Sequence, residues 1–380
     1  MAQIGRRQEY IRASNIKAVM RTIRNGGKTF AELEEITGLS NAAVFKIVSA
    51  MTESGMVLRT QLPSTTAGRR AEMITPNPAY GYFAVVLAHS DVLTVTVNDY
   101  VGERIYKKEY ETGYVVKRDV IDSAINDLKK FRKKLNHVVF VFAGKYNSKK
   151  DEFVFAEKFR EFYGERFAAY LESRLSVPVV MQNDMPAAMQ SALEKTSTPD
   201  DFIFLYIGEG VGGGFVFNRK VFSGEHGMAG EFGFFGMNPI DATDFFPDEK
   251  SKIFSTELSL KAISDRYIKA AGEKELNYPD AKERFIADCL SGKELAIKTL
   301  DESVAVLGRV LWSLTELLDV SNIIFDGEIV RLGALIKAKL DEMFLKSPTY
   351  SKIDVGFITD ANAIYNGAVA TGIKTFENYV

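Results

Sequence analysis

Two helix-start signals stand close together near the beginning of the chain. Thr29 is followed three residues later by Glu32, which is the pattern of a capping box. Ser40 can cap a second helix, and the residues between the two helices are Thr37-Gly38-Leu39-Ser40. A short helix, a four-residue turn and a further helix form the plan of a helix-turn-helix, which restricts this part of the chain to a small helical head.

The flanking residues extend this head on both sides. A helix that begins at Ser14 or Asn15 has its apolar residues at helical spacing and ends at Asn25-Gly26-Gly27. After the second helix of the pair, Met56–Leu58 and Glu72–Thr75 can form a hairpin. The hairpin tip would reach from Gln61 to Arg70. We therefore predict a winged helix-turn-helix domain over residues 1–75.

The charge of the head indicates an anionic partner. Residues 1–75 contain eleven Lys/Arg and six Asp/Glu, a net charge of +5, which leaves −7 for the remainder of a chain whose total is −2. A basic head on an acidic body is typical of DNA binding, with the second helix of the pair in the major groove. The alternative is a three-helix module for protein contacts. The predicted DNA-contacting residues are Asn41, Ala42, Phe45 and Lys46 on the helix and Arg69 and Arg70 in the hairpin tip.

The remaining residues, 76–380, read as an α/β domain, because several apolar strands come first and strands then alternate with helices. We expect two lobes, one of about 78–185 with the C-terminal helix 364–379, and one of about 186–362. The predicted strands are 82–88, 93–98, 103–109, 137–142, 177–181, 201–207, 213–217 and 322–325, with helices over 117–134 and within 257–318.

The residues 208–214 form the glycine-rich run Gly-Glu-Gly-Val-Gly-Gly-Gly. Glycines allow backbone N–H groups to approach an anion closely. The run has neither the Lys-Ser/Thr ending of a Walker loop nor the spacing of a Rossmann fingerprint. A tight glycine hairpin without a ligand remains the alternative.

Several segments together resemble the ROK family of bacterial sugar kinases and sugar-responsive repressors. The segments 206–215, 224–233, Asn183-Asp184, 323–327 and 366–368 are similar to its motifs, and the head resembles that of its repressors. The resemblance implies a two-lobed actin-like (ribonuclease H-like) ATPase fold. It also implies that sugar hydroxyl groups are bound by Asn183, Asp184, Glu231 and Glu257.

The chain departs from the kinases of this family at their phosphate loops. The first loop, of the form Asp-x-Gly-Gly-Thr, falls on residues 87–91, where Leu87 replaces the Asp and Asp91 the Thr. In the second loop, Glu209 stands where the resemblance implies Thr. Two carboxylates facing a triphosphate would repel it. We therefore expect no useful ATP binding and no kinase activity, with Asp184 as the relic of a general base.

The metal ligands of the family are also missing. Phe234 occupies the position of a zinc-binding His, and residues 237–256 contain no cysteine. The resemblance therefore implies no metal and no cofactor. The single cysteine, Cys289, and the absence of an apolar run of roughly 18 residues or of a signal peptide favour a cytoplasmic protein.

The leading hypothesis is a DNA-binding transcriptional regulator, a repressor or an activator with the repressor favoured, controlled by a sugar and acting on an operator as a homodimer or tetramer. Two alternatives stay open. One is an active ROK sugar kinase with an appended DNA-binding head. The other is a regulator that binds no ligand and is controlled by a protein partner.

Overall fold

The computed structural model describes residues 14–24, 26–63, 71–89, 91–195, 197–236, 253–347 and 353–376. Contacts divide the chain into two compact units. The first contains residues 1–145, 150–183 and 368–380, and the second contains residues 146–149 and 184–367. The head therefore falls in the same unit as the first part of the α/β domain.

The head contains three helices and a three-stranded sheet. Its elements are α1 (14–24), β1 (Lys28–Thr29), α2 (Phe30–Thr37), α3 (Asn41–Glu53), β2 (Val57–Gln61) and β3 (Glu72–Pro76). The strands are antiparallel in the order β1-β3-β2. The capping box is present, since Thr29 N–H donates to Glu32 Oε2 at 2.7 Å and Glu32 N–H donates to the Thr29 hydroxyl oxygen at 3.4 Å. The structure thus has the predicted helices and hairpin, and β1 was not predicted because two residues carry no periodicity.

The first unit is built on a five-stranded sheet. Its strands are β4 (Tyr82–His89), β5 (Val92–Asp99), β6 (Arg104–Glu111), β7 (Leu135–Phe142) and β10 (Val179–Asn183), in the order β10-β7-β4-β5-β6. The pairs among β4, β5 and β6 are antiparallel, whereas β7 pairs with β4 and with β10 in parallel. The remaining elements before residue 184 are β8 (Lys145–Asn147), β9 (Glu152–Phe155) and the helices α4 (Arg118–Leu128) and α5 (Phe167–Leu175).

The second unit repeats this plan. Its strands are β11 (Phe202–Ile207), β12 (Val211–Phe217), β13 (Lys220–Val221), β14 (Asn322–Asp326) and β15 (Asp354–Phe357), in the order β13-β12-β11-β14-β15. Again the first three strands are antiparallel and the last two pairs are parallel. Each sheet therefore reads third, second, first, fourth and fifth strand across its width. The chain repeats one folding unit twice.

Helices fill the rest of the second unit. They are α6 (Asp184–Leu193), α7 (Phe254–Leu258), α8 (Leu260–Ala270), α9 (Tyr278–Leu290), α10 (Glu294–Leu318) and α11 (Gly333–Phe344). The inward stripe of α10, including Val304, Leu307 and Leu311, packs into a large apolar core with both neighbouring helices and sheet strands. Burial at this spacing is the ordinary reason for an amphipathic helix, so the stripe is core and no zipper.

A last helix, α12 (Ala363–Phe376), belongs to both units, since the division falls between Gly367 and Ala368. Its end packs within the first unit, where the Phe376 ring lies 5.0 Å from the Tyr100 ring and 4.9 Å from the His137 ring. The predicted helix, 364–379, begins one residue after the observed one, and its last three residues lie outside the described part of the chain.

The head packs on the end of the first sheet. The Tyr100 ring lies beneath the Arg24 guanidinium at 6.0 Å, and the Tyr100 hydroxyl lies 3.8 Å from Met20 Sδ. Asn77 joins the two parts, because its amide donates to Gly55 O at 2.7 Å and its backbone N–H donates to Met56 O at 2.8 Å. These bonds fix the head at the point where the chain leaves it.

The sequence did not predict the strands β8, β9, β13 and β15 or the helices α5, α6 and α11. The strands are two to four residues long and the helices mix polar and apolar positions, so their periodicity is weak. Within the described ranges, no helix is both long enough and apolar enough to cross a membrane.

Gly367 offers a test of the packing between α12 and α6. A methyl group at Gly367 would lie 1.7 Å from the backbone oxygen of Ala187, which cannot move without displacing α6. We expect Gly367→Ala to lower the midpoint of thermal unfolding by an amount that corresponds to at least about 1–3 kcal/mol, the usual cost of overpacking. Gly210→Ala is the matched control, because a methyl group there meets no atom within 4 Å. Equal midpoints for the two variants would contradict the described packing.

Candidate functional site

The outer face of α3 presents the residues predicted to contact DNA. Ser40 caps the helix through a bond from Ala43 N–H, while Val44, Val48 and Met51 are buried against the head. The helical period then turns the opposite positions outward. The predicted residues Asn41, Ala42, Phe45 and Lys46 are all exposed.

Phe45 is held in an aromatic cluster on the head surface. Its ring lies 5.8 Å from the Phe30 ring, and the Arg59 guanidinium lies over both rings at 5.7 and 5.3 Å. Arg59 Nε in turn donates to Glu72 Oε2 at 2.9 Å. The cluster ties α3 to α2 and to the hairpin strands. Phe45 therefore positions the helix, in addition to any contact that its exposed edge makes.

Asn41 and Lys46 differ in whether the side chain already bonds to another part of the head. The Asn41 amide donates to the Glu34 carboxylate on α2, so it would have to exchange this partner for a base edge. Lys46 forms no ion pair with a carboxylate in the described part of the chain and extends into solvent. A lysine in that state can hold a phosphate without losing a protein contact. Arg69 and Arg70 lie outside the described residues.

Asn183 ends β10 in the first unit. Its side-chain amide donates to the backbone oxygen of Gly144 at 2.6 Å, which joins the carboxyl ends of β10 and β7. Gly144 has a φ of 116°, and a methyl group there would lie 2.4 Å from Phe155 O. The turn after β7 therefore requires glycine, and Asn183 holds it. From the resemblance, Asn183 was expected to bind sugar hydroxyl groups, and its bond to Gly144 was not predicted.

Asp184 begins α6 in the second unit. It is half-buried, but protein atoms crowd its carboxyl group, and this desolvation raises the pKa of Asp184 to about 7. Bonds from its own N–H and from Met185 N–H oppose the shift, and the charge of Glu231 adds to it. Near neutral pH the group is therefore present in both protonation states. It can accept a hydrogen bond from a hydroxyl group or donate one to it.

Of the three acids predicted to bind sugar in the second unit, two lie close enough for their charges to interact. Glu231 stands before the 3₁₀ turn Phe232–Phe234 and lies close enough to Asp184 to affect its charge. Glu257, in α7, has its Oε2 3.9 Å from the Arg266 guanidinium, which also donates to the backbone oxygen of Glu257 at 3.1 Å. The charges of Asp184 and Glu231 therefore act on each other, whereas the Glu257 carboxylate lies beside the Arg266 guanidinium.

Most of the glycine-rich run serves packing. Gly212, Gly213 and Gly214 lie within strand β12, and only 208–210 form the turn. A methyl group at Gly212 would lie 2.7 Å from Met185 Sδ, and one at Gly214 would lie 2.3 Å from Met189 Cε. Both methionines belong to α6. These glycines allow α6 to approach the strand closely, so the tight-hairpin interpretation accounts for them without an anion.

The turn itself is crowded and acidic. Glu209 is exposed at its tip, and a methyl group at Gly208 would lie 2.7 Å from the Tyr206 hydroxyl. Burial, together with the charges of Glu328, Asp184, Asp326 and Glu209, raises the pKa of Tyr206 to about 12. The tyrosine thus stays protonated among carboxylates. A phosphate group would meet the same negative field.

Tyr278 and Lys282 hold Glu328 in place. The Tyr278 hydroxyl donates to Glu328 Oε2 at 2.5 Å, and the Lys282 ammonium pairs with the other oxygen. Burial and this bond raise the pKa of Tyr278. None of these three residues was predicted from the sequence. Glu328 could have been named as a candidate, because it is an acid directly after Asp326-Gly327, in the segment that resembles the adenosine-side motif of the kinases.

The turn predicted to replace the first phosphate loop joins β4 and β5 in the first unit. His89 pairs with Val92, so the connection is a tight hairpin whose residue 90 lies outside the described part of the chain. Leu87 is a strand residue opposite Thr94, and Asp91 lies near the Lys158 ammonium, whose pKa is lowered by burial. The charge of Asp91 thus has a protein counterion.

No group of three or more His, Cys, Asp or Glu residues within the described ranges has the geometry to hold a metal ion. Most of the segment 237–256, in which the zinc ligands of the family would lie, is outside those ranges. The expectation of no zinc therefore stays a prediction.

Comparison with known proteins gives one family and two kinds of relative. The model of the ROK family matches residues 90–355. A xylose repressor of Caldicellulosiruptor bescii is 19% identical over 373 residues, which are 92% of each chain. An N-acetyl-D-glucosamine kinase of Mannheimia succiniciproducens is 34% identical over 127 residues, which are 33% of this chain and 40% of the kinase. The chain thus spans less than half of the length of that kinase.

Solved structures give the same fold. The crystal structure of a ROK family transcriptional regulator, a homologue of the E. coli MLC protein, superposes with a TM-score of 0.75 at 17% identity and covers 96% of each chain. The ROK hexokinase of Thermus thermophilus superposes with a TM-score of 0.61 at 15% identity, over 78% of this chain and 99% of its own. The predicted α/β, two-lobed actin-like fold is confirmed.

The raised pKa of Asp184 predicts a pH-dependent cost to stability. The folded protein binds a proton at Asp184 more tightly than the unfolded chain does, so the free energy of unfolding falls as the pH rises from about 4 through 7. Since a shift of about three pKa units corresponds to at most about 4 kcal/mol, we expect Asp184→Asn to raise the thermal midpoint at pH 8 by up to that equivalent and to change it little at pH 4. Glu209→Gln, at an exposed position, is the control. A midpoint difference that does not vary with pH would refute the assignment.

Proposed function

The chain belongs to the ROK family, and we propose that it is a sequence-specific DNA-binding transcriptional regulator, a repressor, whose DNA affinity is set by a sugar or sugar derivative. The observation that carries the proposal is the share of this chain that each relative matches. The match to the xylose repressor extends over 92% of this chain and therefore includes residues of the head, whereas the hexokinase structure covers 78%. A head of this kind is the part that distinguishes a regulator from a kinase.

The surface chemistry of α3 supports DNA binding. Its exposed face carries a lysine without an ion pair among the described residues, an asparagine and an aromatic ring fixed by the Arg59 cluster. Asparagine can read an adenine edge, and lysine suits a phosphate. In our proposal Asn41 and Phe45 face the bases and Lys46 holds the backbone.

The second unit supplies the sugar contacts. Asp184 and Glu231 form an electrostatic pair, and Asp184 can accept or donate at neutral pH. Sugar hydroxyl groups both donate and accept, so such a pair suits them. In our proposal these two carboxyl groups bind the effector, and Glu257 orients Arg266 or joins the site when the ligand is present. The effector acts only by binding the DNA-competent and incompetent states unequally.

The turn at Glu209 argues against ATP. Its exposed carboxylate, the Glu328 carboxylate held by Tyr278, and Asp326 lie in one neighbourhood around Tyr206. Burial raises the pKa of Asp326 to about 6, and the nearby Asp360 adds to the shift, so this region disfavours negative charge already. A triphosphate would add more of it. We propose that the kinase-like domain has lost phosphoryl transfer and has kept ligand recognition.

DNA binding is tested with sequences selected from a random library by the full-length protein. We expect a palindromic site, because a symmetric dimer binds two half-sites. Lys46→Ala should weaken binding to all sequences and lower the slope of log affinity against log salt by about 0.9 for each subunit, about 1.8 for the dimer. Lys274→Ala in the second unit is the control, since that lysine is equally exposed. A library that yields no enriched sequence would exclude a sequence-specific regulator.

Ligand binding is tested by thermal shift against sugars, sugar phosphates and Mg·ATP. A ligand at ~100 times its dissociation constant stabilises the folded protein by about 2.7 kcal/mol. We expect a shift with one sugar and none with Mg·ATP, and we expect Glu231→Gln to abolish it. Glu225→Gln, at an exposed position of the same segment, should retain it. A sugar-induced shift that survives Glu231→Gln would place the sugar elsewhere.

An active kinase is the second candidate, favoured by the 34% identity to an N-acetyl-D-glucosamine kinase over 127 residues. A coupled assay for ADP release across amino sugars and hexoses separates the two. Sustained turnover that is lost in Asp184→Asn would establish the kinase and overturn the loss of phosphoryl transfer.

A further inference from the structure

A short segment of the first unit reverses the charge of its surroundings. Five of the six residues from 129 to 134 are Lys or Arg, in a part of the sequence that carries −7 overall. The segment begins as the 3₁₀ turn Lys129–Phe131 after α4 and leads into β7. All five cationic side chains are exposed. We name residues 129–134 the basic segment.

The neighbouring edge strand β6 extends the positive surface. The Tyr106 ring of β6 lies 5.2 Å from the Phe131 ring, which joins the strand to the basic segment. Lys107 and Lys108 follow on the strand and are exposed as well. The ring contact thus places the lysines of the strand and of the basic segment on one surface.

Local acids neutralise only part of this charge. Asp127 pairs with Lys130 and, at 2.6 Å, with Lys108, and these bonds hold its pKa below the usual range. By contrast, Lys129, Arg132 and Lys133 have no carboxylate within 4 Å in the described part of the chain. Since Asp127 already serves two lysines, the basic segment retains a net positive charge.

The basic segment lies at the end of the sheet that receives the head. Asn77 is bonded to Gly55 and Met56, directly after the end of α3. Five residues later Tyr82 N–H donates to Lys134 O at 2.8 Å, and the Lys134 ammonium lies 5.3 Å from the Tyr82 ring centre. Five residues span at most about 17 Å. The segment is therefore closer to the end of α3 than one turn of B-DNA is long, ~34 Å.

We propose that the basic segment contacts the phosphate backbone of DNA that flanks the site read by the head. The inference rests on the proposed DNA-binding function. Its location favours this partner, since the head and the basic segment belong to one compact unit and a duplex longer than one turn extends beyond the part that α3 reads. An acidic protein or an anionic membrane would satisfy the same charge without requiring this location.

The test compares two variants of the full-length protein that lose the same charge. Lys129→Gln/Arg132→Gln/Lys133→Gln alters the basic segment and spares Lys134, which stacks on Tyr82. Lys269→Gln/Lys274→Gln/Lys298→Gln alters exposed lysines of the second unit. Affinity is measured against salt on duplexes of about 16 and about 36 base pairs that share one selected site, since half-sites one turn apart fit the shorter duplex. A random-sequence duplex of the longer length is the third probe.

We expect the wild-type protein and the second-unit variant to bind the longer duplex more tightly than the shorter one. The basic-segment variant should lose this gain, and its salt slope on the longer duplex should be lower by about 2–3 for each subunit whose three phosphate contacts are lost. The inference would be overturned if the basic-segment variant showed the same gain and the same slope as the second-unit variant. It would also be overturned if the basic-segment variant lost binding to phosphatidylserine vesicles while its DNA binding stayed unchanged. If no site is selected, the proposed function fails, and the random duplex still compares the two variants.

Discussion

The close approach of helix α6 to its neighbours is the constraint on which the candidate ligand site depends. Gly212 and Gly214 leave room on strand β12 for the two methionines of α6, and Gly367 lets α12 touch the backbone of the same helix. Side chains at these positions would push α6 outward. Asp184 is the first residue of α6, so its position depends on this packing, and burial there raises its pKa to about 7.

Charge is the second organising feature, and it differs between regions of one chain. The head is basic, the remainder is acidic overall, and the basic segment 129–134 stands out within that remainder. In the second unit, carboxylates surround Tyr206 at the turn after β11, and Tyr278 with Lys282 fixes one of them. The position that resembles a phosphate site is thus negative, while the regions proposed to meet DNA are positive. This distribution favours a regulator over a phosphoryl-transfer enzyme.

The head and the first sheet are joined by specific contacts. Tyr100 packs between α1 and α12, and Asn77 bonds to the residues after α3. Helix α12 is divided between the two units, and its first residues pack on α6 through Gly367.

The sequence by itself determined the capped helices of the head, the positions of the main strands along the chain and the resemblance to the ROK family, because capping signals, apolar periodicity and glycine motifs are local and survive without tertiary context. It also indicated Asp184 and Glu231 as candidate sugar-binding residues. Only the tertiary structure decided that Asn183 bonds to Gly144, that Glu257 faces Arg266, and that the strand glycines pack α6. It likewise brought together Tyr206, Tyr278 and Glu328, which are far apart in the chain. Such partners depend on long-range packing, which no local pattern of residues encodes.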